Sequence, residues 1–283
     1  MRKETIAKLV LLLTAMIWGS TFAISKLITD VFSASFIIVS RFTIASIALT
    51  IFAYPLRNKL NKDYLIAGFF MGISLFASYL LQVVGLTMDT SPGKSAFLCT
   101  TYCVIVPFIN WIVTKNKPKI LHLICVILSL TGVGILSLTG GFRMSSGDIL
   151  TVLSGVPYAL NIVICAIVCK DKDVVLLTTI ELWVVAILAM IAVLATSSLP
   201  TTLPMQAVGA VIYLGLLATA ACMYFQSYGL KYANPTIAGM LLSLESVFGV
   251  IFSILLYKET ITFRMYIGFI IIFMAVLLSQ KES

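Results

Sequence analysis

Charge is what this sequence has least of. Only 11% of its 283 residues are Asp, Glu, Lys or Arg and 60% are hydrophobic, whereas a soluble domain carries about 25% charged residues. So few charges cannot cover a water-facing surface, which excludes a soluble enzyme, and the apolar content excludes disorder. Histidine is nearly missing too: His122 stands alone, and no CxxC pair accompanies it. Zinc-finger and thioredoxin chemistry therefore lack a ligand set. The six cysteines, Cys99, Cys103, Cys125, Cys165, Cys169 and Cys222, all lie in apolar runs. They read as small buried hydrophobes, including the helically spaced pairs Cys99/Cys103 and Cys165/Cys169, so no metal site is expected. There is no GxxxxGK[ST] stretch, hence no phosphate-cradling loop, and no segment outside the apolar runs is long enough for an ATPase domain. A nucleophile–base cluster is missing as well, so neither an enzyme nor a cofactor is expected. Alternating apolar and polar residues, the mark of a membrane barrel, do not occur. What is present is a mean hydropathy of +1.10 and a net charge of +8. The basic residues sit in short segments beside apolar runs, where an inner-leaflet reading explains them better than nucleic acid.

A helix rising 1.5 Å per residue needs about 20 apolar residues to cross a bilayer core. On that measure the chain offers ten spans, near residues 9–29, 34–54, 65–86, 93–114, 120–138, 148–169, 174–196, 206–228, 235–257 and 264–280. Ser91-Pro92-Gly93, Gly140-Gly141 and Asn234-Pro235 mark joints between them. The opening Met1–Lys8 followed by an apolar run resembles a signal peptide. The run continues to about Ile28 without a small-x-small cleavage site, so an uncleaved first span is expected. With the N-terminus inside, thirteen Lys and Arg fall in inner segments and five at outer ends, with Arg41 inside a span. That bias predicts a multi-pass protein of a bacterial-type plasma (cell inner) membrane with both termini cytoplasmic.

The chain also repeats itself. Gln82-Val-Val-Gly85-Leu and Gln226-Ser-Tyr-Gly229-Leu each end one span, and Pro92 and Pro235 open the next. Each following helix runs to a short basic hinge, Lys115–Lys119 or Lys258–Arg264. The expected fold class is therefore an all-α polytopic membrane protein with ten transmembrane helices in two five-helix halves, 1–140 and 147–283. Because five is odd, the second half enters from the opposite side, and the two are inverted repeats. Transporters of that architecture hold their site between the halves near the midplane.

Several segments carry a family likeness. Ile17-Trp18-Gly19-Ser20-Thr21-Phe22 resembles the I-W-G-S-x-F signature of the drug/metabolite transporter superfamily, EamA type. Pro92-Gly93-Lys94-Ser95-Ala96-Phe97 through Thr101–Pro107 is similar to that family's fourth helix. Leu244-Glu245-Ser246-Val247 is similar to the L-E-P-V of its ninth, with Ser246 in place of proline, and Tyr257–Ile261 resembles the segment before its last helix. The resemblance covers essentially the whole chain. It implies ten helices and secondary transport, often export of metabolites, amino acids or toxic compounds.

Ionisable groups inside spans are the first functional pointers, since each costs about 2.5–3.5 kcal/mol at a helix centre. Glu245 is the only charge between Ile237 and Leu256. Such a carboxyl can exchange a proton or bind a cation, or can serve as a structural group bonded to another helix. Glu181 and Arg41 occupy comparable places in the two halves. Arg41 could clamp a carboxylate with its planar fork, pair with an acid or snorkel outward. Lys94 opens a helix at its partly positive end, where a held anion would offset the repulsion; the alternative is a solvated lysine. Lys26 reads as a snorkelling residue. Trp18 lies mid-span, where its indole N–H needs a partner, and can line a cavity with Tyr79, Tyr102, Tyr158 and Tyr224, or simply pack. Asn161 and Gln82 could read substrate amides or carboxylates. Gly68-x3-Gly72 and Ala15-x3-Gly19 allow close helix approach, and Pro107 and Pro157 interrupt helical bonding.

The functional expectation is a secondary active transporter. It exports a small metabolite, amino-acid-like or drug-like, by alternating access, with proton exchange at Glu245 as the coupling candidate. Its partners are then a small-molecule substrate, the lipid bilayer and protons. The competing expectation is a non-transporting membrane subunit for lipid binding or assembly, which predicts no cavity shared by these side chains.

Overall fold

The computed structural model describes residues 3–115, 117–137, 144–169, 171–196, 199–232 and 241–280. Among them every regular element is helical: α1 Lys3–Ile28, α2 Ala34–Ala53, a 3-10 turn Tyr54–Lys59, α3 Lys62–Thr87, α4 Pro92–Thr100, α5 Tyr102–Thr114, α6 Ile120–Ser137, α7 Ser146–Val168, α8 Val174–Ala195, α9 Met205–Ile212, a π-helical segment Tyr213–Ala221, α10 Cys222–Tyr232, α11 Glu245–Tyr257 and α12 Phe263–Gln280. Seven helical stretches are long and apolar enough to cross a membrane: Lys3–Ile28, Ala34–Lys59, Lys62–Thr87, Pro92–Thr114, Ser146–Cys165, Val174–Ala195 and Met205–Gln226. Ile120–Leu136, Leu241–Tyr257 and Phe263–Leu278 are shorter apolar helices. The joints Gly140-Gly141 and Asn234-Pro235, with the first residues of the ninth expected span, lie outside the described residues.

Local chemistry explains where the helices start and stop. Ser33 Oγ accepts from Phe36 N–H at 3.1 Å, Asn61 Oδ1 accepts from the amides of Asp63 and Tyr64, and Asp173 Oδ1 accepts from Val175 N–H. Each satisfies donors that a helix start leaves free. α5 and α11 end at Lys115 and Lys258, whose φ of 64° and 56° are left-handed. Such C-terminal conformations are usually glycine's; here two lysines 143 positions apart adopt them. The fourth expected span is broken at Thr101. Thr100 Oγ1 donates to Phe97 O at 2.8 Å and Thr101 Oγ1 to Leu98 O at 2.6 Å, and hydroxyls that bond back to the preceding turn bend helices. A matching turn at Leu244 precedes α11, again 143 positions on.

Packing repeats the pattern. α4 with α5 forms one rod, and α9, the π segment and α10 form another. α3 lies on α7 as α1 lies on the α9–α10 rod, α1 lies on α11 as α7 lies on the α4–α5 rod, and α3 lies on α8 as α2 lies on the α9–α10 rod. The remaining large contacts, α2 with α8, α6 with α12 and α4 with α11, map onto themselves when each rod is exchanged for the one five places on. Small residues permit the closest crossings. A Cβ on Gly19 would come within 2.5 Å of Phe248 Cβ, 2.8 Å of Gly249 N and 2.9 Å of Glu245 O, so α1 rests directly on the α11 backbone. Gly68 and Gly72 likewise let α3 touch Ile180 and Val184 of α8. Ile51, Phe52, Phe70, Ile127, Ile187 and Leu194 are exposed, as lipid-facing side chains are.

Candidate functional site

Between these rods lies a small cavity. α1 contributes Trp18 and Thr21, α3 contributes Ser78, Tyr79 and Gln82, α4 and α5 contribute Cys99 and Tyr102, α7 contributes Ser154, Gly155 and Tyr158, and α11 contributes Glu245. Both broken helices resume here. Tyr102 is the first residue of α5, Glu245 is the first of α11, and they are 143 positions apart. The α7 and α3 residues recur at three- and four-residue spacing, which puts Ser154 with Tyr158, and Ser78 with Gln82, on single helix faces.

Three of the cavity's rings are held at defined angles. Tyr102 and Tyr158 meet edge-on with centroids 4.7 Å apart, and Tyr79 meets Phe42 edge-on at 4.9 Å. Trp18 Nε1 donates to Ala218 O at 2.8 Å, so its mid-membrane N–H is satisfied by the π segment. Thr21 Oγ1 donates to Trp18 O. Gln82 Nε2 lies 3.1 Å from Cys99 Sγ, which lies 3.6 Å from Ser154 Oγ. Among the described residues, Glu245 has no hydrogen bond or ion pair to its carboxylate, and Arg41 is the cation whose field reaches it.

Six expected residues thus share the cavity: Glu245, Trp18, Tyr79, Tyr102, Tyr158 and Gln82. Five do not line it. Arg41, 4% exposed, sits one layer behind. Its Nε donates to Thr219 Oγ1 at 2.5 Å, its Nη2 lies 3.3 Å from the Tyr79 hydroxyl, and its guanidinium covers the Tyr79 ring at 4.8 Å. Glu181, 1% exposed, accepts from Asn161 Nδ2 at 2.6 Å, and the same amide nitrogen donates to Met71 O at 3.0 Å. Both belong to a buried knot of α3, α7 and α8. Tyr224 is 49% exposed and tilts against Phe225. Lys94 bridges Asp148 at 2.5 Å. The residues that sequence reasoning missed are Thr21, Ser78, Cys99, Ser154 and Gly155. The four-residue polar spacings on α3 and α7 were the available signal, whereas Cys99 had been read as a plain hydrophobe.

The π segment collects polar anchors. Besides Trp18 and Arg41, Ser20 Oγ meets the Tyr213 hydroxyl at 2.7 Å, and Thr219 Oγ1 donates five residues back to Leu214 O. A π turn exposes carbonyls that an α-helix would use. Beyond the cavity, one end of the bundle is tied together. Asp148 Oδ2 takes Lys94 and its Oδ1 takes Thr90 at 3.0 Å. Glu259 accepts from Gly93 N–H at 2.9 Å and from the hydroxyls of Ser91 and Ser253. The anions expected beside Lys94 at the α4 start are therefore carboxylates of the chain itself. Lys26, expected to snorkel, donates to the carbonyls of Leu86 and Met88 at the same end. Among the described residues there is no group of three His, Cys, Asp or Glu able to hold a metal ion.

Comparison with known proteins places this architecture. The model of the EamA-like transporter family matches twice, over residues 5–138 and 145–280. The chain belongs to the EamA-like transporter family. An uncharacterized transporter of Archaeoglobus fulgidus is 30% identical over 279 residues, which are 98% of this chain and 86% of that one. A solved crystal structure superposes with a TM-score of 0.65 over 96% of both chains at 15% identity, which is a likeness of fold. This EamA protein is thus a multi-pass membrane protein with a transporter role, built on a repeated unit and acting on small molecules.

Proposed function

We propose that the chain is a secondary active transporter that exports a small amine-bearing metabolite, amino-acid-like or drug-like, with proton exchange at Glu245. The single observation that carries this is a carboxylate without a partner among the described residues, set in a cavity walled by Trp18, Tyr79, Tyr102 and Tyr158. A carboxylate neutralises an ammonium, and ring faces attract the same cation. Proton and ammonium compete for one oxygen pair, so release of one accompanies uptake of the other. The three shorter apolar helices complete ten spans, in halves 1–140 and 147–283 that are inverted relative to each other. Rocking of one half against the other opens the cavity to alternate faces. The Lys94 end faces outward and both termini face the cytoplasm, as the lysine and arginine bias requires.

The test is counterflow in proteoliposomes under an imposed pH gradient. Uptake of a bound amine should follow the gradient in the native protein and lose its pH dependence in Glu245→Gln. A variant with the native pH profile would remove Glu245 from the coupling role.

A further inference from the structure

The cavity has a second, uncharged polar side. Gln82 on α3, Cys99 on α4 and Ser154 on α7 form a chain in which the thiol is the middle member. A thiol is a weak partner whether it donates or accepts, so the Gln82 amide is poorly matched in either orientation. One turn before Cys99, on the same face of α4 but outside the cavity lining, the fully buried Ser95 hydroxyl lies beside that thiol and has no other partner among the described residues. Buried polar groups are nearly always paired, so one thiol is shared by Gln82, Ser154 and Ser95, and of these three Gln82 and Ser154 face the cavity.

We infer that Gln82, set against the Cys99 thiol, forms a subsite for an uncharged carbonyl oxygen carried by the same ligand whose amine meets Glu245; Ser154, whose hydroxyl donates to Thr151 O, walls it. This rests on the amine-transport reading. A carbonyl oxygen is a stronger acceptor than sulfur, so it takes the Gln82 N–H from the thiol and leaves the sulfur to Ser95. The oxygen is uncharged because among the described residues no Lys or Arg lines the cavity, and Arg41 is committed to Thr219 and Tyr79. The ligand class is thus a monocation with a neutral acceptor at its other end and an apolar body between.

Three probes of one skeleton test this: phenethylamine, phenylalaninamide and phenylalanine, titrated calorimetrically into the full-length protein in detergent. Phenylalaninamide should bind about fivefold tighter than phenethylamine, the worth of one or two added hydrogen bonds, and phenylalanine should gain no more than the amide. Within Gln82→Leu, the ratio of amide to phenethylamine affinity should fall below about twofold, with thermal unfolding confirming that the variant folds. Equal affinities in the native protein overturn the subsite while leaving the amine reading in place. So does a native-like ratio in Gln82→Leu. Tighter binding of phenylalanine than of the amide overturns it in favour of a cationic reader. Binding of none of the three, or native binding of all three in Glu245→Gln, overturns the amine reading and the subsite with it.

Discussion

Replacing Lys94 by methionine would strip from the Asp148 carboxylate, which has no exposed surface, the one cation that bridges it among the described residues. The Asp148 side chain is 0% exposed and the Lys94 side chain 17%, so the two halves of the bridge are not equally costly to orphan. Breaking a buried pair by removing one partner costs about 3–5 kcal/mol, because a charge is left in a poor solvent. Lys94→Met still leaves the Asp148 carboxylate the Thr90 hydroxyl as a donor, which argues for the lower part of that range. Asp148→Asn is the milder lesion. An asparagine oxygen still accepts from Thr90, and the freed lysine reaches solvent from the end of the bundle; about 1–2 kcal/mol is expected. The double variant removes both charges and should cost less than the sum by about 2 kcal/mol. At roughly 2 °C per kcal/mol for a chain of this size, Lys94→Met should lower the midpoint by about 6–8 °C and Asp148→Asn by about 2–4 °C. Intrinsic tryptophan fluorescence of detergent-solubilised protein during heating measures this. Lys94→Met melting within about 2 °C of the parent, or losses that simply add in the double variant, would refute the buried-pair argument.

Other perturbations test the packing around the cavity. Gly19→Val must push α1 off the α11 backbone, since its first carbon already meets Gly249 N and Glu245 O; a loss of about 1–3 kcal/mol or more should appear as reduced monodisperse yield, and native yield and midpoint would contradict the contact. Trp18→Phe keeps the ring but leaves Ala218 O without its indole donor, so a loss of about 1–2 kcal/mol is expected, and an unchanged midpoint would show the bond to be dispensable. Glu181→Gln retains an acceptor for Asn161 and should stay within about 1 kcal/mol, whereas Glu181→Leu strands that amide and should cost about 1–3 kcal/mol. Equal midpoints for the two would argue that Asn161 finds enough in Met71 O.

Helix placement was legible because lipid imposes a length. The expected 34–54, 174–196 and 264–280 correspond to Ala34–Ala53, Val174–Ala195 and Phe263–Gln280. The breaks were not, because neither turn uses glycine or proline: hydroxyls bond back at both, from Thr100 and Thr101 at the first and from Ser246 to Ser243 O at the second. The π segment has no compositional mark at all: its use depends on Trp18 and Arg41 arriving from α1 and α2. The site was half legible for a similar reason. Residue type picked out the mid-span polar groups, but whether each faces the cavity depends on helix rotation. Arg41 and Glu181 turn instead to Thr219 and Asn161. For Lys94 the sequence left a held anion and a solvated lysine as alternatives, and nothing in it points to Asp148, 54 positions on, as the partner.

The repeat explains which of these features come in pairs. Trp18 and Asn161 are 143 positions apart, and each donates from the middle of its helix to a main-chain carbonyl, Ala218 O and Met71 O, in rods that mirror each other. Arg41 and Glu181 each stand eight residues beyond the caps Ser33 and Asp173. They are buried in matching places with opposite charge. The tie at the Lys94 end has no such mate. Positions 143 residues from Ser91, Gly93, Lys94, Asp148 and Glu259 hold Asn234, Thr236, Ile237, Thr5 and Asn116, none of them ionisable. A frame with near-equal halves would give near-equal energies to the two states of a rocking motion. The opposite end has its own tie between the halves, Lys59 to Asp173 at 3.0 Å, but its side chains are 56% and 23% exposed against 17% and 0% for Lys94 and Asp148. The two ties are unequal, so under alternating access the Lys94 end is the costlier one to open. A ligand that opens it must supply the difference through contacts made in the cavity.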